Sequence, residues 1–195
     1  MVRLRAQIRR AARRIGSHGP RAMALPEMAA LMENEVFKAF ATYAAIVTLK
    51  MILMGPVTVY FRLTRGSFSN EEDVARKSDE EKKKLLKSHP DVERAQRCHH
   101  NDLENIIPFF FIGLLYALSG PNLSSALIHF RVFTASRIFH SFAYILAFPQ
   151  PSRGLSYALG MFTTFSMAYN LLIWFLFWIS DSDELQSVVM KKEPS

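Results

Sequence analysis

The sequence holds very little cysteine and glycine for its length. Among its 195 residues there is one cysteine, Cys98, and there are 8 glycines. A single cysteine excludes an intrachain disulfide and favours a reducing compartment; we interpret Cys98 as a small buried side chain rather than a nucleophile. The sequence also lacks a glycine-rich phosphate-binding loop and a Gly-x-Ser-x-Gly nucleophile elbow, which excludes those two classes of catalytic site.

Acidic residues are absent before Glu27, where arginine is frequent. The arginines of this stretch are Arg3, Arg5, Arg9, Arg10, Arg13, Arg14 and Arg21. For residues 1–32 three interpretations stay open: a mitochondrial presequence, a disordered basic tail, or a rarely used upstream start, in which case translation from Met23 would remove most of these arginines. Because no folded reading element accompanies the arginines, no nucleic-acid partner is expected.

Long apolar runs are what the sequence has in abundance. They span approximately residues 36–60, 106–118, 123–148 and 155–179. The first, third and fourth reach the roughly 20 residues that cross a bilayer core, and the second does so only with its polar N-terminal turns. The pattern predicts an all-α membrane protein with a four-helix transmembrane domain over residues 33–180 and a loose polar tail over 181–195. The charged, partly helical loop 62–93 is placed in the cytosol by its basic residues.

A dense polar run leads directly into the second apolar segment. Arg97, Asn101 and Glu104 stand at i, i+4 and i+7 and therefore share one helix face, with His100 beside them. Polar groups at the depth of a membrane are costly and usually functional. A cation, an amide and a carboxylate on one face predict a site for a small zwitterionic ligand.

The third apolar segment carries a second polar face. Arg137, His140 and Tyr144 stand at i, i+3 and i+7. An arginine inside a membrane needs an anionic or carbonyl partner, and Asp102 or Glu104 on the second segment are the candidates. Either Arg137 lines a ligand site, or it forms an ion pair that only holds the bundle together.

Arg153 opens the fourth segment, and Tyr157 follows one turn later on the same face. A helix N-terminus adds its positive field to the guanidinium, which favours an anion or thiolate site; the alternative is an anchor at the lipid headgroups. Arg62 ends the first segment at the same membrane surface. The adjacent His99 and His100 point in different directions on a helix, so no metal site is expected.

Several segments together resemble one family, the membrane-associated proteins in eicosanoid and glutathione metabolism. They are Arg62-Leu-Thr-Arg65, Asp91-Val-Glu-Arg94, Asn101-Asp-Leu-Glu-Asn-Ile-Ile-Pro-Phe109, Arg137-Ile-Phe-His-Ser-Phe-Ala-Tyr144 and Gln150-Pro-Ser-Arg153. The resemblance covers about residues 32–172 in order. The segment that starts at Asn101 favours the transferase branch of the family.

This resemblance implies a homotrimer of four-helix protomers with glutathione bound between neighbouring subunits near the cytosolic face. The glutathione contacts that it implies are Arg62, Arg97, His99, Asn101, Glu104, Arg137, His140, Tyr144 and Tyr157. Arg153 would face the sulfur as the catalytic residue. Glutathione would be a co-substrate, and no metal is implied.

The activity that the resemblance implies is conjugation of the glutathione thiolate to hydrophobic electrophiles, together with reduction of lipid hydroperoxides. The membrane would be that of the endoplasmic reticulum, with the mitochondrial outer membrane as a further location. Two alternatives stay open: glutathione-dependent isomerisation of a prostaglandin endoperoxide, and a non-catalytic membrane scaffold.

Three positions depart from the pattern of the transferase branch. Gln96 stands where that branch has a second arginine, which weakens one expected carboxylate contact. Val74 stands where it has the cysteine that responds to alkylation, so that response is not expected here. Tyr157 stands where transferases often have phenylalanine and the prostaglandin synthases have tyrosine.

Overall fold

The computed structural model describes the backbone of residues 25–191 and the side chains of residues 29–180. The predictions for the arginine-rich segment therefore fall largely outside the described residues. The chain divides into two units between Asn34 and Glu35, and helix α1 (Leu25–Glu33) belongs to the first. Every regular element in the described part of the chain is helical, as the composition predicts.

Four long helices make up the second unit, with a short one in the first loop. They are α2 (Glu35–Arg65), α3 (Asp79–Leu85), α4 (Pro90–Leu118), α5 (Leu123–Ile145) and α6 (Ser152–Lys191). In the bundle α2 packs against α4 and α5, and α6 packs against the other sides of the same two helices. The polar run and the second apolar segment form the single helix α4, as predicted.

Side-chain caps fix where these helices begin. His89 accepts a hydrogen bond from the Asp91 backbone N–H through its Nδ1 at 3.2 Å, and Pro90 fits the first turn of α4, where an N–H has no helical partner. Asn122 caps α5 by accepting from the Ser124 N–H at 2.9 Å. Because α4 begins at the His89 cap, its polar turns and its apolar part belong to one continuous helix.

Three helical stretches are long and apolar enough to cross a membrane: α2, α4 and residues 152–180 of α6. Helix α5 has 23 residues and stands outside this set; Arg131 and Arg137 are among the polar groups that lower its hydropathy. Large apolar side chains such as Phe111 and Phe162 point away from the bundle, each 65% exposed. Such an outer surface suits lipid rather than water.

Aromatic rings fill the core of the bundle. Phe109 and Phe133 stack with centroids 3.8 Å apart and planes at 4°, and Phe40 packs edge-on against Phe130 at 5.7 Å. Gly113 admits this packing, because a Cβ there would lie 2.8 Å from Cε2 of Phe40. Helices α2 and α4 approach closely at this glycine, which fixes their polar ends relative to one another.

The C-terminal boundary differs from the prediction. The sequence predicts a loose tail from residue 181, whereas the backbone of α6 stays helical to Lys191. The helix is 40 residues long. Polar residues such as Asp and Ser end an apolar run without breaking a helix, and neither proline nor glycine occurs between residue 180 and Pro194.

Candidate functional site

The predicted polar face of α4 lines a cleft together with the end of α5. Arg97, Asn101, Glu104 and Tyr144 border a volume of about 420 Å³, with Gln96 and His100 at its edge. We call this the Tyr144 cleft. The cation, amide and carboxylate that the helical spacing grouped together thus face one space, and an aromatic hydroxyl from another helix joins them.

The charged groups of the Tyr144 cleft are weakly paired. Arg97 Nη1 lies 3.1 Å from an Oε2 of Glu93, and His100 Nε2 lies 3.3 Å from Glu104 Oε1. All four side chains are 46% to 76% exposed. Exposed pairs of this kind contribute little to stability because water screens them. Each can exchange its partner for an opposite charge on a ligand at small cost.

From the start of α6, Arg153 reaches Tyr144, one of the residues that line the cleft. Its guanidinium carbon lies 5.1 Å from the centroid of the Tyr144 ring, which is a cation–π contact. Its Nε is buried and has no hydrogen-bond partner within residues 29–180. Since Arg153 stands in the first turn of α6, the helix macrodipole adds to its positive field.

His140 contacts both Tyr144 and Arg153. It is only 3% exposed, its ring lies 5.3 Å from that of Tyr144, and its Nδ1 lies 3.2 Å from both the Arg153 carbonyl and Ser156 Oγ. In this structure His140 thus touches these two residues, and its role as a glutathione contact stays a prediction.

Tyr157 lies in a neighbouring cleft between α4 and α6. This cleft has a volume of about 380 Å³, and its wall includes Glu104, Pro108, Met161 and Phe165. We call it the Tyr157 cleft. Glu104 borders both clefts, so the two spaces share one wall residue.

Arg62 and His99 line a third cleft, between α2 and α4, of about 360 Å³. Arg62 Nε and His99 Nδ1 are buried there without partners among the described side chains. Gln96 and His100 border this cleft as well as the Tyr144 cleft. One protomer therefore does not bring all the predicted site residues into a single space.

A buried ion cluster lies beneath the Tyr144 cleft. Arg137 Nη2 donates to Asp102 Oδ1 at 2.7 Å and to Asn101 Oδ1 at 2.8 Å, and Lys50 Nζ binds both carboxylate oxygens of Asp102. Arg137 and Asp102 are fully buried. Of the two partners predicted for Arg137, Asp102 is confirmed and Glu104 is wrong, because Glu104 faces outward to His100.

Lys50 is the functional candidate that the sequence pattern did not assign. Its side chain is 14% exposed and reaches from the middle of α2 to Asp102 on α4. A lysine in the middle of an apolar span is itself a signal, because a charge at that depth requires a partner. Within residues 29–180 no group of three His, Cys, Asp or Glu side chains could hold a metal ion.

Comparison with known proteins identifies the family of the chain. The MAPEG family model matches residues 40–173. Microsomal glutathione S-transferase 1 of Sus scrofa is 52% identical over 149 residues, 76% of this chain and 96% of the relative. The human protein of the same name is 52% identical over 147 residues, 75% and 95% of the two chains. Prostaglandin E synthase of Bos taurus is 37% identical over 142 residues, 73% and 91%. The chain therefore belongs to the MAPEG family.

Proposed function

We propose that this protein is a membrane-embedded glutathione S-transferase that joins the glutathione thiolate to hydrophobic electrophiles. The observation that carries the proposal is the position of Arg153 over Tyr144, at the edge of a cleft that also presents Arg97, Asn101 and Glu104. Glutathione has two carboxylates, an amine and a thiol, and this set of side chains offers a counterpart for each.

The peptide part of glutathione would bind to the polar wall of α4. Guanidinium groups bind carboxylates through paired, charge-assisted hydrogen bonds, which suits Arg97 and Arg62. Glu104 would take the ammonium group in place of His100, and Asn101 would bind a carboxylate or amide. His99 and Tyr144 complete this wall, while Arg137 and His140 act from beneath it.

Arg153 would activate the sulfur. The thiolate, not the thiol, attacks electrophiles, and a free thiol with a pKa near 8.5 is only slightly ionised at neutral pH. Lowering the thiol pKa by about two units requires roughly 2.7 kcal/mol of preferential stabilisation of the thiolate. A guanidinium at a helix N-terminus in a partly desolvated cleft supplies an energy of that order.

The electrophile would reach the sulfur from the bilayer through the Tyr157 cleft, whose wall includes Met161 and Phe165. With an aryl chloride, the sulfur lone pair forms the new C–S bond and chloride departs with the electrons of the C–Cl bond. With a lipid hydroperoxide, the thiolate attacks the terminal oxygen, and the alkoxide leaves and takes a proton. The resulting sulfenic acid condenses with a second glutathione to give the disulfide and water.

We further propose that α5 is a fourth span and that the protein is a homotrimer. Helix α5 stands between α2 and α6 in the bundle, so its apolar outer side chains, such as Phe142 at 59% exposure, face the same surroundings as theirs. The Arg62–His99 cleft and the Tyr144 cleft are separate spaces on either side of Gln96 and His100 in one protomer, and a neighbouring copy would complete each site. The endoplasmic reticulum membrane, with the mitochondrial outer membrane as a further location, is the proposed setting.

Conjugation of chlorodinitrobenzene by the purified protein, with glutathione affinity from titration calorimetry, tests the proposal. A glutathione-dependent isomerase acting on a prostaglandin endoperoxide is the second candidate. It is favoured by Tyr157, which stands where those enzymes carry tyrosine, and by the prostaglandin synthase relatives. Turnover of the endoperoxide but not of the aryl chloride would select it. Loss of glutathione binding altogether would instead indicate a non-catalytic scaffold.

A further inference from the structure

The buried ion cluster holds more positive than negative charge. Lys50 and Arg137 are two cations, and they share the single carboxylate of Asp102. Arg137 also has two buried nitrogens, Nε and Nη1, without partners among the described side chains. An ion pair that only joined helices would be neutral and satisfied, since a surplus buried charge is costly. The surplus positive charge therefore indicates an interaction with a group outside the cluster.

Asn101 links the surplus charge to the Tyr144 cleft. Its Oδ1 accepts from Arg137 Nη2 at 2.8 Å, and the residue lines the cleft. An amide whose oxygen is held in this way presents its NH₂ group to whatever occupies the cleft. A chain of contacts thus runs from Lys50 through Asp102 and Arg137 to the wall where an anion would bind.

We propose that Lys50 is a positioning residue for glutathione: by sharing Asp102, it leaves Arg137 incompletely neutralised beneath Asn101, so that the cleft attracts the carboxylates of glutathione. The inference rests on the proposed function and adds a residue on α2 to it. If Lys50 were absent, Asp102 and Arg137 would form a neutral pair, and the field beneath Asn101 would fall. Replacement of Lys50 therefore acts on glutathione affinity rather than on the chemical step.

The main test compares Lys50→Met with Lys50→Arg in purified full-length protein in lipid nanodiscs. For Lys50→Met we expect the glutathione Kd and KM to rise about tenfold, the effect of one unit charge at moderate distance in a partly shielded site. The kcat at saturating glutathione should stay close to that of the wild type. Lys50→Arg retains the charge and should restore affinity. Lys38→Met, on the exposed surface of the same helix, is the matched control and should change neither quantity.

A double variant separates charge from fold. In the variant that combines Lys50→Met with Asp102→Asn, Arg137 is the one charged residue left in the cluster. The net charge of the cluster then equals that of the wild type, and the glutathione Kd should return to within about threefold of the wild-type value. An unchanged Kd in Lys50→Met overturns the inference, and so does a folded double variant that binds as weakly as the single one. If Lys50→Met does not fold, the Kd values of the double variant and of Lys50→Arg decide whether the charge of the cluster sets glutathione affinity. Absence of glutathione binding by the wild type would overturn the proposed function as well.

Discussion

Arg153 lies over the face of Tyr144, with its guanidinium carbon 5.1 Å from the ring centroid. The two residues are at opposite ends of a short connection, since Tyr144 is near the end of α5 and Arg153 is in the first turn of α6. The ring holds the cation in place without neutralising it, because a π face offers attraction but no full negative charge. Arg153 therefore keeps its charge available for an anion in the cleft.

Replacing Arg153 should remove thiolate stabilisation. We expect Arg153→Ala to lose the ultraviolet absorbance of bound thiolate and to lower kcat by about a hundredfold, equivalent to roughly 2.7 kcal/mol. Arg131→Ala is the matched control. Arg131 lies on α5, donates from its Nε to Tyr43 Oη at 2.9 Å, and is not among the residues that line the cleft. A full thiolate signal in Arg153→Ala would show that another group ionises the sulfur.

The ring of Tyr144 and its hydroxyl can be tested separately. Tyr144→Phe keeps the aromatic face under Arg153, so the thiolate signal should remain, whereas Tyr144→Leu removes the cation–π contact, worth about 1 kcal/mol, and should weaken the signal about fivefold. Difference absorbance at saturating glutathione measures both. Equal loss in the two variants would assign the role to the hydroxyl instead.

Gly160 controls how closely α6 approaches the ion cluster. A Cβ at this position would lie 2.9 Å from Ser136 Oγ and 3.5 Å from Arg137 Cδ. Gly160→Ala should therefore displace these side chains, lower thermal stability and raise the glutathione Kd together, with overpacking costing about 1–3 kcal/mol. Gly55→Ala is the control, since an added Cβ there would meet no side chain and no neighbouring helix within 4 Å. Unchanged Kd and stability in Gly160→Ala would contradict the close packing.

Gly113 should affect stability alone. Its added Cβ would lie 2.8 Å from the Phe40 ring in the aromatic core, far along α4 from the cleft. We expect Gly113→Ala to cost about 1–2 kcal/mol after the gain in helix propensity, with the same glutathione Kd as the wild type. Thermal unfolding in detergent and calorimetric titration give the two values. A large change in Kd would mean that the core and the cleft are coupled.

Glutathione itself should stabilise the protein. A ligand that binds only the folded state adds RT ln(1 + [L]/Kd), or about 2.7 kcal/mol at a hundredfold excess over Kd. The unfolding temperature should rise with glutathione concentration and return on its removal. The Arg97→Ala variant should show a smaller rise at the same concentration. A temperature that does not respond to glutathione would count against binding in the cleft.

Much of the site could be predicted from helical spacing. Arg97, Asn101 and Glu104 share a cleft because residues three and four apart fall on one face of a continuous helix. Helical spacing allows either Asp102 or Glu104 as the partner of Arg137, because the two are only two positions apart. Spacing along one helix cannot choose between them, because the choice depends on how α4 is rotated toward α5.

By itself, the sequence determined the all-helical membrane class and the polar face of α4, since both follow from local hydropathy and helical period. Only the tertiary structure decided that Lys50, Asp102 and Arg137 meet. It also decided that Arg153 covers Tyr144, and that Arg62 and His99 lie in a separate cleft. These relations join different helices, and the rotation and separation of packed helices are set by side-chain packing, such as the close approach at Gly113 and Gly160, rather than by any single segment.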